Sequence, residues 1–189
     1  MEVRAARRDE FDQVMAFYTR MIDEMQGTDF DVLWEHGVHP SPEFLRASVE
    51  AGEVYVGVLT APALEDAAAC VLSGEDRIAA AMVMNAEGEP GYEEASWRVK
   101  AVSDEVLVLH VVATLPEFHG RGFARQLLQG GIAAARAAGK KALRLDTFST
   151  NVRGRRLYET CGFDCIGVYP HFYPHIDPEL EAALYEYAL

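Results

Sequence analysis

The chain has 189 residues, 50% of them hydrophobic, and its 30 acidic against 17 basic side chains give a net charge of −13 at pH 7. This composition supports a full hydrophobic core, and it argues against a disordered chain and against a nucleic-acid binder. No apolar run reaches the roughly 18 residues that a membrane span needs. Three cysteines without metal-ligand spacing indicate a reducing compartment and no metal. We therefore expect one cytoplasmic domain over residues 1–189 that contacts no membrane.

The first third of the chain begins with a predicted strand, Glu2–Ala6. Asp9 is a candidate cap for the helix that follows. Apolar residues recur in this helix at helical spacing and predict one buried face: Phe11, Val14, Met15, Tyr18, Met21, Ile22 and Met25. The loop 27–40 contains Trp34, which either walls a substrate pocket or caps the core.

A second helix and two strands are predicted next. Ser41 before Pro42 is typical of a helix start, and Gly52 closes the helix 43–51. Residues 54–60 and 78–85 are predicted strands, the second antiparallel to the first. The pattern between them is undecided, since 67–72 could extend the sheet or form a helical turn. The long acidic loop 85–104 is expected near the mouth of a site.

The central stretch is an apolar strand, Leu107–Ala113, a turn, Pro116–Ala124, and a helix over 122–138 that contains Gly130. Free backbone N–H groups and the dipole at such a helix start favour an anion. Arg125 stands where a dinucleotide fingerprint needs a small residue, and a P-loop Gly-Lys-Ser/Thr is absent. Nine of the 17 basic residues lie between positions 121 and 156, where Asp146 is the sole acid. A bound polyanion would explain this concentration of charge.

The C-terminal part continues the alternation of strands and helices. We predict a strand over 142–147, a helix capped by Asn151 and ended by Gly162, and strands over 163–168 and 183–189. A loop rich in His, Tyr and Pro, 169–179, joins the last two strands. This order predicts an α/β fold with a mixed sheet and helices on both faces.

Two motifs carry a family resemblance. Leu109–Ala124, which ends in His119-Gly120-Arg121-Gly122-Phe123-Ala124, resembles the acyl-CoA motif of the GCN5-related N-acetyltransferases (GNAT). Asn151–Phe163 is similar to the second motif of that family, although Ala is usual where Gly154 stands and Gln or Arg where His119 stands. The resemblance implies a mostly antiparallel sheet with one splayed parallel pair. It also implies acetyl transfer from acetyl-CoA to an amine, with no metal.

The resemblance assigns the coenzyme to the central strand and the turn. Backbone N–H groups of the turn would bind the pyrophosphate, and the strand would pair with the pantetheine arm and polarise the thioester carbonyl. Asn151 would cap its helix and bond the pantetheine or a water. The implied coenzyme contacts are Val112, Ala113, Thr114, His119, Gly120, Arg121, Gly122, Phe123, Ala124, Asn151 and Tyr158.

Two proton transfers complete the expected chemistry. Tyr158 stands where the family places the general acid that protonates the leaving thiolate. The attacking amine needs a base, for which Asp146 and His110 are the candidates, followed by Glu105 and Glu117. Asp146 could equally be a structural residue that holds the Asn151 loop.

The acceptor is the least determined part. A small molecule, an amino acid or a peptide with a primary amine fits, and the aromatic loop 169–175 and Trp34 are candidate pocket walls. Direct attack in a ternary complex is favoured, because no cysteine lies at the turn. The alternatives are a non-catalytic acyl-CoA sensor on the same fold and a nucleotide-binding α/β protein. The last strand could pair across a homodimer, which nothing in the sequence requires.

Overall fold

The computed structural model describes residues 1–29, 31–59, 77–170, 172–173, 176 and 179–189. The described chain separates into two compact units. Unit one comprises Met1–Val83 and Val111–Gly130, and unit two comprises Met84–His110 and Gly131–Leu189. The expectation of a single domain stays a prediction. Residues 67–72, which could extend the sheet or form a helical turn, lie outside the described residues.

The described strands form a seven-stranded mixed sheet in the order β1-β2-β3-β4-β5-β7-β6. Its strands are β1 (Glu2–Ala5), β2 (Val54–Leu59), β3 (Arg77–Asn85), β4 (Val106–Thr114), β5 (Ala142–Phe148), β6 (Asp164–Tyr169) and β7 (Ala182–Ala188). The β4–β5 pair is parallel, whereas β1–β2, β2–β3, β5–β7 and β6–β7 are antiparallel. The predicted mixed α/β fold with one parallel pair is confirmed.

The predicted helix caps are correct for one helix of unit one and wrong for another. In α2 (Pro42–Ala51) the Ser41 hydroxyl accepts the Phe44 N–H, and Gly52 ends the helix at φ +75°, so the predicted caps are confirmed. The predicted cap for α1 (Phe11–Met25) is wrong. A short 3-10 turn precedes α1, and Asp9 makes no cap bond.

The reason for the Asp9 error lies in the neighbouring Glu10. Its carboxylate accepts the backbone N–H of Arg7 at 2.7 Å and two bonds from Arg4, at 2.6 and 2.8 Å. These bonds lower the pKa of Glu10 and hold the chain in the 3-10 turn. The charge-assisted contacts of Glu10 therefore set the path into α1.

The core of unit one packs α1 and α2 with β2 and β3. Val14, Leu45, Val54 and Val56 are fully buried in it. The third helix, α3 (Phe123–Ala137), begins in this unit, and a Cβ on Gly130 would lie 2.4 Å from Cγ1 of Val3 on β1. Glycine at 130 therefore permits close helix–sheet packing, which offsets its poor helix propensity.

Unit two is built around β5 and β7, which pair over seven residues from Ala142↔Ala188 to Phe148↔Ala182. The fourth helix, α4 (Val152–Thr160), precedes β6. The long loop between β3 and β4 is fixed to this unit by a buried carboxylate. Glu186 of β7 accepts the backbone N–H groups of Arg98 and Val99 at 2.9 and 3.0 Å and the Arg144 side chain at 3.1 Å. The loop expected to decorate the site is thus anchored at residues 98–99.

Two further properties concern the described residues as a set. No helix among them has both the length and the apolar character that crossing a bilayer requires. Within the described ranges, no group of three or more His, Cys, Asp and Glu side chains is arranged to hold a metal ion.

Candidate active site

Strand β4 bends at Val111, which has φ +46° although it is β-branched. Such a conformation costs about 1–3 kcal/mol and persists where the surroundings enforce it. The buried hydroxyl of Tyr18 on α1 donates to the Val111 carbonyl at 3.0 Å, and burial raises the pKa of Tyr18. The bond from α1 therefore fixes the bend immediately before Val112, Ala113 and Thr114.

The parallel pairing of β4 with β5 is short. It runs from Val106↔Ala142 to Val108↔Arg144, and in the described chain neither Leu109 nor His110 continues it. Strand β5 extends to Phe148 in pairing with β7 on its other side. The expected splayed parallel pair therefore opens beyond Val108.

The turn after β4 has the backbone geometry expected of an anion-binding turn. Gly120 and Gly122 have φ +75° and +77°, and an added Cβ at either would contact no atom within 4 Å. These positions need glycine for its left-handed conformation rather than for space. Gln126 makes the helical bond to Gly122 at 3.0 Å, so the amides of Phe123 and Ala124 precede the hydrogen bonds of α3.

Thr114, the last residue of β4, is connected to this turn and also has an unusual side chain. Nε2 of His119 lies 2.8 Å from the Thr114 carbonyl oxygen and donates to it, which ties the turn to the strand. The Thr114 hydroxyl is the one buried side-chain polar atom of the described residues without a hydrogen-bond partner. A buried hydroxyl in that condition is costly unless a ligand satisfies it.

The turn is also held from its outer side by ion pairs. Both oxygens of Glu117 accept from Arg20 at 2.8 and 2.9 Å, and Arg77 binds one of them at 2.6 Å. The guanidinium groups of Arg77 and Arg121 lie over the Phe118 ring at 5.7 and 5.8 Å. Glu117 was a candidate base, but because arginines bind both of its oxygens we assign it a structural role. We call Glu117 with Arg20 and Arg77 the brace at Glu117. No sequence signal could reveal partners so distant along the chain.

In unit two, Asp146 on β5 joins two loops. Its Oδ1 accepts the Tyr92 hydroxyl at 2.6 Å, and its Oδ2 accepts the Tyr173 hydroxyl. Burial, and then the charge of Asp146, raise the pKa of both phenols, which are therefore neutral donors. Tyr92 was not among the expected site residues, because nothing in its sequence context indicates this partner.

Tyr158 is 7% exposed on α4 and packs against the rings of Phe163 and Tyr185. Its hydroxyl has no hydrogen bond to any described residue, although burial and the nearby charge of Asp146 raise its pKa. The phenol is thus protonated at neutral pH and available to a ligand. The sequence-predicted Tyr158 and Asp146 lie within electrostatic reach of each other.

His110 lies on β4 just before the bend. Its Nε2 is 3.0 Å from both the Asn85 Oδ1 and the Glu87 carbonyl oxygen, so Nε2 carries the proton of the neutral ring and Nδ1 the lone pair. Burial lowers the pKa of His110, while Asp146 and Glu87 act in the opposite direction. The imidazole is therefore neutral at pH 7. The remaining candidate base, Glu105, is paired with Lys141, which lowers its pKa.

Asn151 caps α4 as predicted, accepting the Gly154 N–H at 3.0 Å. Its Nδ2 donates to the Thr147 hydroxyl at 2.9 Å, so Thr147, and not Asp146, holds the Asn151 loop. A Cβ on Gly154 would lie 2.5 Å from that Nδ2. This contact explains why glycine stands where the resembled motif usually has alanine.

Several basic residues between 121 and 156 have defined protein contacts. Arg144 binds Glu186, and Arg155 binds the Tyr185 hydroxyl and the Ser149 carbonyl. Local contacts thus account for Arg144 and Arg155, and the explanation of the basic region by a bound polyanion stays a prediction. Arg153 and Arg156 are exposed on α4.

The candidate acceptor walls are described in part. Trp34 packs on the core of unit one, with its ring 5.9 Å from that of Tyr18. In unit two, the Phe172 ring is tilted against that of Tyr92 and meets that of Tyr173 edge-to-face. Residues 171, 174 and 175 of the predicted aromatic loop lie outside the described residues.

Comparison with known proteins identifies the family. The sequence matches the Acetyltransferase (GNAT) family over residues 19–163. The search of curated proteins gives no match. Arabidopsis thaliana NAA60 in complex with acetyl-CoA is similar in structure, with a TM-score of 0.69 and 14% identity over 100% of this chain and 98% of that one. At this identity the likeness shows the fold.

Two bacterial structures are similar to the same degree. yncA from Salmonella typhimurium, with its cofactor acetyl-CoA, gives a TM-score of 0.66 and 18% identity over 100% of this chain and 94% of that one. A ribosomal-protein-alanine N-acetyltransferase from Brucella melitensis gives 0.65 and 16% over 100% of both chains. Since the family match spans well over half of its residues, the chain belongs to the GNAT family of acetyltransferases.

Proposed function

We propose that this protein is an N-acetyltransferase that moves an acetyl group from acetyl-CoA to a primary amine by direct attack in a ternary complex. The observation that carries the proposal is the turn between β4 and α3. Its two left-handed glycines lead into a helix start at which the amides of Phe123 and Ala124 precede the hydrogen bonds of α3. A diphosphate is the kind of anion that such a turn binds.

The residues present fit the coenzyme. The Thr114 hydroxyl is buried without a partner at the strand end along which a pantetheine arm would run. Two structures similar to this chain contain acetyl-CoA. Within the segment 119–124 the amides of His119 and Arg121 already donate to the Pro116 and Phe118 carbonyls, so the amides of residues 120 and 122–124 would hold the pyrophosphate. The backbone of Val112–Thr114 would hold the pantetheine, and Asn151 a pantetheine amide or a water. Acetyl-CoA supplies the acetyl group as a thioester.

Tyr158 is assigned as the general acid. Its raised pKa keeps the hydroxyl protonated at neutral pH, and that hydroxyl has no bond to the described protein. It can therefore donate its proton to the departing sulfur, so that CoA leaves as the neutral thiol rather than as the thiolate. A positioned acid of this kind contributes about 10²–10⁴-fold to the rate.

His110 is assigned as the acceptor of the amine proton ahead of Asp146. The Nδ1 lone pair of the neutral imidazole is basic, whereas both oxygens of Asp146 already accept phenol hydroxyls. Asp146 as the base remains the competing assignment. It predicts that removing the carboxylate slows transfer to every amine by the same factor.

Two features support direct transfer in a reducing compartment. The described cysteines, Cys161 and Cys165, form no disulfide, and neither lies on β4 or at the turn. A covalent acetyl-cysteine route would require a nucleophile there. Free thiols also fit the cytoplasm. The acceptor is a small molecule, an amino acid or a peptide, and a homodimer stays an open expectation.

The test is the variant Tyr158→Phe, assayed by the release of free CoA over a panel of amines. We expect kcat to fall about 100-fold or more, while the Kd for acetyl-CoA changes less than about twofold. Tyr187→Phe is the matched control, because the Tyr187 hydroxyl contacts only Arg136 among the described residues. Unchanged turnover in Tyr158→Phe would remove the phenol from the mechanism.

Thermal-shift measurements separate the rival functions. Protection by acetyl-CoA, and none by ATP or NAD, is expected, because a ligand that binds the folded state raises its melting temperature. Protection by a nucleotide instead would favour the nucleotide-binding protein. Acetyl-CoA binding without transfer to any amine would favour the acyl-CoA sensor.

A further inference from the structure

Among the residues that the structure describes, the carboxylate of Asp146 has no positive partner. It makes none of the ion pairs of the described chain, and its contacts there are the neutral hydroxyls of Tyr92 and Tyr173. Asp146 is half-buried, and a carboxylate withdrawn from water without a countercharge lowers stability. Its negative charge is therefore available to a positive ligand.

The two tyrosines that bind this carboxylate pack against two further aromatic rings. The Tyr173 ring lies 5.0 Å from Phe148 and 5.2 Å from Phe172, and the Tyr92 ring lies 6.1 Å from Phe172. We call these four rings with Asp146 the Asp146 subsite. The faces of such rings attract ammonium and guanidinium groups. Tyr92 and Tyr173 belong to the buried core of unit two, whereas Asp146, Phe148 and Phe172 are half-buried, so the two phenylalanine rings are the ones that a cation beside Asp146 can contact.

The charge around the subsite has the same sign. Residues 86–94 contain four Glu and no Lys or Arg. One of them, Glu89, acts on the pKa of Tyr92 and Tyr173 in the same direction as Asp146. The charge of Glu89 therefore adds to the attraction of Asp146 for a cation.

The subsite adjoins the proposed acid. Tyr158 is more than nine-tenths buried, its hydroxyl has no partner among the described residues, and it interacts electrostatically with both Asp146 and Tyr173. A ligand that contacts the Tyr158 hydroxyl thus lies close enough to place another of its groups beside Asp146. All of these residues belong to unit two.

We propose that the acceptor carries a second, permanent positive charge, which the Asp146 subsite binds while a separate amine of the same molecule reacts. This proposal rests on the proposed acetyl transfer and names the acceptor class as diamines and related dications. A carboxylate stabilises the protonated form of an ammonium that it contacts. Asp146 is therefore better matched to a group that stays charged than to the nitrogen that must lose its proton.

The experiment compares three acceptors of equal length that differ at the far end: butane-1,4-diamine, 4-aminobutan-1-ol and 4-aminobutanoate. We expect the wild-type kcat/KM for the diamine to exceed that for the aminoalcohol about tenfold or more, after division by two for its equivalent amines. 4-Aminobutanoate, which carries a negative charge at its far end, should be the poorest substrate. The advantage of the diamine should shrink as salt rises above about 0.1 M.

The variant Asp146→Asn should reduce the ratio of diamine to aminoalcohol to about one, because the amide keeps the shape and removes the charge. Asp104→Asn, which removes an exposed acid of the same unit, should leave the ratio as in the wild type. Acetyl-CoA protection in a melting assay establishes that each variant is folded. If Asp146→Asn fails to fold, the comparison of the three acceptors in the wild type tests the proposal by itself.

The outcomes separate the two proposals. Equal kcat/KM for the diamine and the aminoalcohol in the wild type overturns the dication while acetyl transfer stands. An equal loss with all three acceptors in Asp146→Asn also overturns it, because Asp146 is then the base. No release of free CoA with any amine removes the acetyl transfer and the inference together.

Discussion

The buried carboxylate of Glu186 yields the sharpest stability prediction. Glu186 and Arg144 expose only 3% and 12% of their side chains, and Arg144 also lies over the Trp97 ring at 4.3 Å. Glu186→Ala would leave the guanidinium with one protein hydrogen bond, to the Val99 carbonyl, and would orphan the two amides at 98 and 99. Breaking a buried pair in this way costs about 3–5 kcal/mol.

The assay measures both global and local effects. Urea unfolding should show that loss of about 3–5 kcal/mol for Glu186→Ala. Tryptic cleavage after Arg98 and Lys100, both exposed, should accelerate about 100-fold, because it follows the opening of the anchored segment. A change under about 1 kcal/mol, with an unaltered cleavage rate, would refute the idea that Glu186 fixes the loop.

The matched control uses another pair at the same place in the chain. Arg98 also binds Asp164 at 2.8 Å, but these side chains are 63% and 67% exposed. Asp164→Asn should therefore cost less than about 1 kcal/mol, the usual value of a solvated pair. The contrast between the two acids tests burial rather than charge.

Three further predictions concern single groups. Gly130→Ala should lower the free energy of unfolding despite a helix-propensity gain of about 1 kcal/mol, because its Cβ would overlap Val3; a urea titration that shows higher stability contradicts the packing. Tyr18→Phe should cost about 1–3 kcal/mol and lower acetyl-CoA affinity, because the Val111 carbonyl at the bend loses its donor; calorimetric binding that matches the wild type would argue against it. Because its pKa is lowered on folding, His110 binds fewer protons in the native state, so stability should fall as pH drops below its unfolded pKa of about 6.5. Melting temperatures of His110→Gln from pH 7 to 5 should show a weaker decline than the wild type, and an identical decline would exclude His110 as its source.

Local chemistry explains why the helix ends and the central turn were predictable. Ser41 and Asn151 accept backbone N–H groups within their own first helical turn, and Gly120 takes the left-handed conformation that its neighbours in sequence require. Such interactions span a few residues, so the sequence contains both partners. The wrong cap at Asp9 arose because Glu10, bound to Arg4, controls the same turn.

The long-range contacts had no such signal. Asp146 is bound by Tyr92 and Tyr173, which stand 54 and 27 positions away in loops without periodicity. Glu186 reaches amides 88 and 87 positions distant. Alternation in β7 predicts that a side chain points inward, but it does not identify the donor that a buried carboxylate will meet.

The brace at Glu117 limits how the coenzyme-binding segment can be exchanged between relatives. Its two arginines come from positions 97 and 40 residues away, on α1 and at the start of β3. A chimera that grafts residues 107–126 onto another member of the family would contain Gly120 and Gly122. It would lack the arginines that bind Glu117 and so hold the turn. Arg20 and Arg77 must be included in the graft, because the loop depends on three separate parts of the chain rather than on one continuous peptide.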